Sequence, residues 1–295
     1  MTLLARLLAP FAPLIALFGS GCAAAPAATE ARPALWQVAD ADTRIYLFGT
    51  VHLLPEDVTW RTPAFDRAFA EADTLVLEVD MPTDPQAQAS RYAALATSPG
   101  LPPLIERVPP ADRPALARMI AESRIPEASL NALETWAAAL ALGTTLYRES
   151  GLTPAAGVEQ VLKGAAGGKR IVGLETLEQQ LGFFDTLPES AQRDLLRGLL
   201  QEAEGADGAF DAMIAAWTAG DLRRLAETYQ DAEGLSPEVA DALLARRNAA
   251  WTEWVKQRLD TPGTVMVAVG AGHLAGDGSV IQRLEQQGLR VRRVQ

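Results

Sequence analysis

The run Thr264-Val-Met-Val-Ala-Val269 carries no charge and is rich in β-branched residues. A segment of this kind reads as a strand buried on both faces, and such strands belong to parallel sheets covered by helices on each side. Two segments repeat the pattern: Thr74-Leu-Val-Leu-Glu-Val79, interrupted by Glu78, and Arg170-Ile-Val-Gly-Leu174. Residues 35–39 and 44–48 flank Asp40-Ala-Asp42 as a hairpin would. Thr62-Pro63 supplies a cap and a first-turn proline for a helix whose buried face is Phe65, Ala68 and Phe69. Residues 44–80 therefore read as one βαβ unit. Residues 85–165 and 176–260 are rich in Ala and Leu at helical spacing, most clearly in 236–259, opened by Ser236-Pro-Glu238. Ser279 and Gln282 are spaced as a capping box before a last helix, and residues 289–294 read as a final strand. The expected fold is α/β, a mainly parallel sheet built from both ends of the chain with a large helical insertion in the middle.

Residues 1–33 stand apart from that domain, which is expected over 34–295. Arg6 is the only charge before Glu30, and an apolar run covers residues 7–18. At about 1.5 Å per residue this run spans roughly 18 Å, short of the ~30 Å hydrocarbon core of a bilayer. It reads as a secretory signal over residues 1–21, followed by an Ala/Pro linker over 22–33. Cys22 is the only cysteine, so a disulfide framework within the chain is excluded. The context Leu17-Phe-Gly-Ser-Gly-Cys22 resembles a lipoprotein lipobox, with Gly19 where Leu is usual. Export to the periplasm or cell envelope is expected, with Cys22 as a lipid anchor holding the protein on a membrane; simple cleavage among residues 23–28 is the rival. The net charge of −11 and the lack of any Lys/Arg run longer than two argue against nucleic-acid partners.

The only two histidines share one local context. Arg44-Ile-Tyr-Leu-Phe-Gly49-Thr-Val-His52 and Thr264-Val-Met-Val-Ala-Val-Gly270-Ala-Gly-His273 both run strand, Gly, two residues, His. The carboxyl ends of parallel strands are where open α/β sheets build ligand sites. Glycine there lets the backbone bend, and nearby N–H groups should keep each imidazole neutral, fit to ligate a metal or act as a base. Glu78 and Glu175 end two apolar strands, where a buried acid needs a partner or a metal; for Glu175 a helix-cap role is the competing reading, because a helix starts at Thr176. Arg247 falls on the apolar stripe of Val239, Leu243, Trp251 and Trp254. It either faces inward to meet Glu78, Glu175 or a substrate carboxylate, or snorkels past Trp251. Asn248 stands beside it as a hydrogen-bonding group. Gly270-Ala-Gly-His-Leu-Ala275 matches a dinucleotide fingerprint, but the acid required about 20 residues later is missing at Val294 and Gln295. No G-x-S-x-G elbow, Walker loop or H-E-x-x-H helix is present.

Together these blocks resemble the TraB/GumN family, related to the Tiki proteases and more distantly to erythromycin esterases and ChaN-type proteins. The resemblance runs over about residues 34–295. It rests on Phe48-Gly-Thr-Val-His52 with Leu53-Leu-Pro55, Leu77-Glu-Val-Asp80, Gly157-Val-Glu159, Gly168-Lys169 with Gly173-Leu-Glu-Thr176, Arg247-Asn248, and Gly270-Ala-Gly-His273. Glu159 departs from the more usual Asp. The resemblance maps the paired G-x-x-H motifs onto His52 and His273, the family acid onto Glu78 and the L-E-T element onto Glu175. It implies an α/β sheet with a helical insertion. Through Tiki relatives it implies a metal-dependent peptide or amide hydrolase; through esterase relatives, a histidine base acting on water without metal. In the first version His52, His273 and Glu78 hold a divalent ion, with Glu175 as fourth ligand or base, and zinc, manganese, cobalt and iron all suit such donors. In the second, one histidine takes a proton from water and Glu78 orients it. A non-enzymatic envelope protein binding metal, haem or glycan is the alternative from another class, since GumN-type members are linked to exopolysaccharide loci.

Overall fold

In a computed structural model, which describes residues 29–81, 84–146, 152–204, 209–230 and 236–295, the apolar runs assemble into one mostly parallel sheet. The strands in chain order are β1 (Thr29–Glu30), β2 (Leu35–Ala39), β3 (Thr43–Thr50), β4 (Val58–Thr59), β5 (Thr74–Asp80), β6 (Arg170–Thr176), β7 (Gly263–Gly270) and β8 (Val291–Arg293). Six of them lie in the order β6-β5-β7-β3-β2-β8, and β2 runs antiparallel to both its neighbours. The fold is α/β with helices between strands, as the sequence indicates. The segment expected to act as a signal, and Cys22, lie outside the described residues.

Local chemistry explains the element boundaries. Asp40 Oδ1 accepts the N–H groups of Asp42 (3.1 Å) and Thr43 (2.8 Å), closing the β2–β3 hairpin. Thr62 Oγ1 accepts Phe65 N–H at 3.1 Å and starts the helix Pro63–Glu71, which buries Phe65, Ala68 and Phe69. One face of the sheet, including Phe48, Leu75, Leu77 and Met266, packs on that helix and on Trp217 of the helix Ala209–Thr218. The opposite face, with Ile45, Leu47, Val76 and Val267, packs on Trp251 and Val255 of the helix Arg246–Leu259. A third core, built around Trp136, Leu196 and Leu243, belongs to the helical insertion and reaches the sheet at Val79. It is pinned by Arg107, which donates to the carbonyls of Pro102, Asn131 and Leu133. No helix among the described residues is long and apolar enough to cross a membrane.

Three details depart from the sequence reading. First, β3 and β5 are parallel but not adjacent, because β7 pairs with both and separates them. The apolar pattern marks a strand as buried without naming its neighbours. Second, the Ala/Pro segment joins the fold before residue 34: β1 pairs with β4, and Ala31 N–H donates to Thr59 O at 2.9 Å. Backbone groups pair without any apolar side-chain signal. Third, the helix over 236–259 contains a π turn, Asp241–Ala245, in which Arg246 N–H reaches back to Asp241 O. Such one-residue insertions tend to accompany functional sites, and this one immediately precedes Arg247.

Candidate catalytic site at the strand ends

β6, β5, β7 and β3 are four consecutive parallel strands, so their carboxyl ends lie side by side. Glu175 is the penultimate residue of β6, Glu78 lies near the end of β5, and the short turn Ala271–His273 follows β7. His52 follows β3, whose Thr50 is in register with Gly270. The glycines act through close approach rather than through an unusual bend, since neither Gly49 nor Gly270 has a positive φ. A Cβ on Gly49 would sit 3.0 Å from Ala271 Cα, and one on Gly270 would sit 3.0 Å from Glu78 Oε1. Gly270 N–H donates to that same oxygen at 2.6 Å, holding Glu78 against the strand end.

Arg247 is 3% exposed and faces inward. Its Nε donates to Glu175 Oε1 at 2.8 Å; its Nη2 donates to Glu78 Oε2 at 2.6 Å and to Glu175 Oε2 at 3.0 Å. Nη1 donates to Leu243 O at 3.3 Å and meets His273 Nε2 at 3.2 Å. A guanidinium has five N–H groups, and all five are engaged. That corrects one expectation: no donor is left to hold a substrate carboxylate. Trp251 covers the guanidinium, its ring centroid 4.6 Å from Cζ, and donates Nε1–H to Glu175 Oε1 at 3.0 Å. One cation thus lies between two acids. Burial opposes the charge on Glu78, but Arg247, then His273 and His52, outweigh it and hold the carboxyl at about 2. For Glu175, burial prevails over Arg247 and raises the carboxyl.

The hydrogen bonds also set the His273 tautomer. Asn248 Nδ2 donates to Gly278 O at 3.0 Å, so its Oδ1 is the acceptor facing His273 Nδ1 at 2.6 Å. Nδ1 therefore carries the proton, and Nε2 accepts from Arg247. Burial, with Arg247 beside the ring, pushes the imidazole down to about 3, so His273 is neutral. Asn248 joins the site through His273 rather than through Arg247.

His52 is placed in the opposite electrostatic setting. Its Nδ1 lies 2.7 Å from Glu159 Oε1, which also accepts the hydroxyl of Thr50. Glu159 lies in the first turn of the helix Val158–Ala165, and Val158 N–H donates to Val51 O at 3.0 Å. Gly157 permits this docking, because a Cβ there would drive into the His52 carbonyl oxygen. Burial disfavours the imidazolium, but the charge and hydrogen bond of Glu159, with Glu78 farther off, overcome it and raise His52 above its ordinary value. The surroundings of His52 therefore favour its imidazolium, where turn N–H groups alone were expected to favour the neutral ring. Glu159 itself is buried, yet the His52 and Thr50 contacts lower its carboxyl. Its role was hidden in the sequence because an acid in a first helical turn already has a local explanation.

Counting hydrogen-bonding capacity separates the five predicted site residues. Arg247, His273 and Glu175 are engaged with one another and with Trp251, Asn248 and Gln180. Glu78 Oε1 accepts only Gly270 N–H, and His52 Nε2 has no partner among the described residues. No group of three His, Cys, Asp or Glu is placed to hold a metal ion among the described residues. His273 Nε2 and both oxygens of Glu175 face donors of Arg247 instead. As arranged, His52, Glu78 and His273 do not fit a resident divalent ion.

This chain is similar to the uncharacterized protein YbaP of Escherichia coli strain K12, 26% identical over 254 residues, covering 85% of this chain and 92% of the relative. YbaP of Shigella flexneri is likewise 26% identical, over 81% of this chain and 87% of the relative. An uncharacterized protein of Treponema pallidum matches at 26% over 55% of this chain and 52% of its own length. No solved structure matches. A model of the TraB/PrgY/gumN family matches residues 34–293, nearly the whole folded domain with both histidines, Glu78, Glu159, Glu175 and Arg247, and the chain belongs to that family.

Proposed function

We propose that this protein is an exported hydrolase of peptide or amide bonds, tethered to the cell envelope through Cys22, in which His52 is the base that activates water. The observation that carries the reading is the Glu159–His52 pair, with Nδ1 engaged and Nε2 left as an acceptor on a ring whose side chain is 12% exposed. A base needs a free lone pair, a fixed tautomer and a group that stabilises its protonated form, and Glu159 supplies the last two. His52 Nε2 takes a proton from water, the resulting hydroxide attacks the substrate carbonyl, and the imidazolium returns its proton to the leaving nitrogen. The open lone pair of Glu78 Oε1 accepts the second hydrogen of that water and orients it. Arg247 holds Glu78 ionised and fixed, while Glu175 and His273, the latter held by Asn248, are positioning residues that fix Arg247. The apolar run over residues 7–18 and the context of Cys22 support export and anchoring.

Turnover of a fluorogenic peptide library and of p-nitrophenyl esters by the purified protein tests the chemistry, beside His52→Ala and before and after exhaustive chelation. Activity above the His52→Ala background that survives chelation is expected. Loss on chelation, with recovery on adding zinc or manganese, would instead restore the metal version. No turnover of any probe would favour the envelope binder of metal, haem or glycan. For the anchor, wild type should fractionate with membranes and Cys22→Ala with the soluble periplasm; equal solubility of the two rejects it.

A further inference from the structure

β6 forms one edge of the sheet, with β5 on one side and no strand on the other among the described residues. The opposite edge, β8, is only three residues long and carries Arg292 and Arg293. Short length and charge are how folded proteins keep an edge from pairing with another chain. β6 lacks that protection. It is seven residues long, and its middle, Ile171 to Leu174, holds no charge. Ile171 is 41% accessible, the one large hydrophobic side chain exposed among the described residues. The register shows which backbone groups face the free side. Arg170 N–H donates to Asp73 O at 3.1 Å, so Arg170, Val172 and Leu174 turn their N–H and C=O groups toward β5. Ile171 and Gly173 alternate with them and turn theirs away from the sheet. Gly173 is half-buried, and in a glycine the accessible atoms are backbone atoms.

The place of this edge in the sheet indicates what it receives. β6 closes with Glu175 and Thr176, in the row of parallel strand ends that also holds Glu78 and leads to His52. β3, which His52 follows, is three strands away, a gap of about 14 Å at ~4.8 Å per step that about four extended residues span. We propose that an extended polypeptide adds to β6 as a further strand, through the backbone of Ile171 and Gly173, and that this edge leads a substrate chain to the strand ends. Strand addition takes its affinity from main-chain hydrogen bonds and its selectivity from alternate side chains. The docking rests on the edge alone; that the docked chain is cut rests on the hydrolase reading. Docked residues plus the span set a substrate length on the order of eight residues, so the site serves polypeptides rather than small amides.

The test uses the His52→Ala protein, so that a bound chain stays whole. The probe is acetyl-Lys-Thr-Val-Thr-Val-Thr-Lys-amide, beside its analogue N-methylated at every Thr and Val. Hydrogen exchange followed by NMR reads the site. The peptide should bind and protect the amides of Ile171 and Gly173 about tenfold or more; the methylated analogue, with no N–H to add, should protect neither. Two further substitutions act on the edge. Ile171→Pro removes an outward N–H without touching the ladder to β5, and Ile171→Lys supplies the charge that protected edges carry. Each should weaken the peptide about tenfold, the worth of one main-chain hydrogen bond, and Ile171→Lys keeps the test valid should Ile171→Pro not fold. Equal binding of the two peptides, protection of other amides instead, or binding unchanged in Ile171→Lys overturns the proposal. So does a dimer whose Ile171 and Gly173 amides are protected before peptide is added and which Ile171→Lys dissociates, because the edge would then belong to a second copy. With the active protein, the ratio of kcat/KM for a decapeptide over a tripeptide should fall about tenfold in Ile171→Lys. Docking without cleavage of either substrate upholds the edge and removes only the hydrolase reading; cleavage with an unchanged ratio overturns the substrate role of the edge.

Discussion

Arg247→Ala is expected to cost about 3–5 kcal/mol of stability, the loss typical of removing one partner from a buried charge group. The substitution leaves Glu78 and Glu175 uncompensated in the interior and removes the donor from His273 Nε2. In a chain of this size that corresponds to a fall of roughly 10 °C in the thermal midpoint. Arg247→Lys should recover only part of it, because a single ammonium cannot make the forked contacts to two carboxylates and a ring nitrogen. Arg223, on an exposed helix face with its side chain 81% accessible, provides the control. Arg223→Ala should shift stability by no more than about 0.5 kcal/mol. The measurement is thermal or urea unfolding of all four proteins. A midpoint for Arg247→Ala as close to wild type as that of Arg223→Ala would show that the cluster relaxes without its cation, and the positioning role assigned to Arg247 would fall.

His52→Ala should lower kcat/KM by about 10²–10⁴, the usual contribution of a positioned general base, with the unfolding midpoint little changed. The pH profile gives a sharper reading. His52 is raised above its ordinary value of 6.5, and a base works only when unprotonated. Activity should therefore rise with pH on an acid limb whose midpoint lies above 6.5. Glu159→Gln keeps the shape of the acceptor but removes its charge. Because Glu159 favours the imidazolium, its neutralisation should move the limb to lower pH. The plateau should fall at the same time, since the protonated ring formed during the reaction loses its stabilising partner. A limb that stays in place in Glu159→Gln would mean that some group other than His52 titrates, and the assignment of the base would be wrong.

Most of the scaffold was legible in the chain because it depends on short-range patterns. Continuous apolar runs marked β5 and β7 as doubly buried, Asp40 and Thr62 announced a hairpin and a helix start, and the stripe through Leu243 and Trp251 offered an inward Arg247 beside a snorkelling one. Each of these follows from side-chain periodicity or from a cap that bonds within three residues. The family resemblance was likewise carried by short ordered blocks, from Phe48–His52 to Gly270–His273. Strand order was not legible in this way. Nothing in the composition of β7 says that it lies between β3 and β5, because both partners offer the same backbone groups and the same apolar faces.

The two histidines mark the boundary most clearly. Their sequence contexts are nearly alike, and the chain alone placed each just past the end of a buried strand. The folded protein assigns them opposite chemistry. His52 meets Glu159, brought by a helix whose glycine lets it approach, and is pulled toward the imidazolium. His273 meets Arg247 and Asn248 and is held neutral with both nitrogens engaged. Local sequence determines where a side chain leaves the backbone. Its protonation, tautomer and free lone pairs depend on charges a few ångströms away, and in a buried site, where water screens little, those charges come from whichever distant segments the fold packs against it.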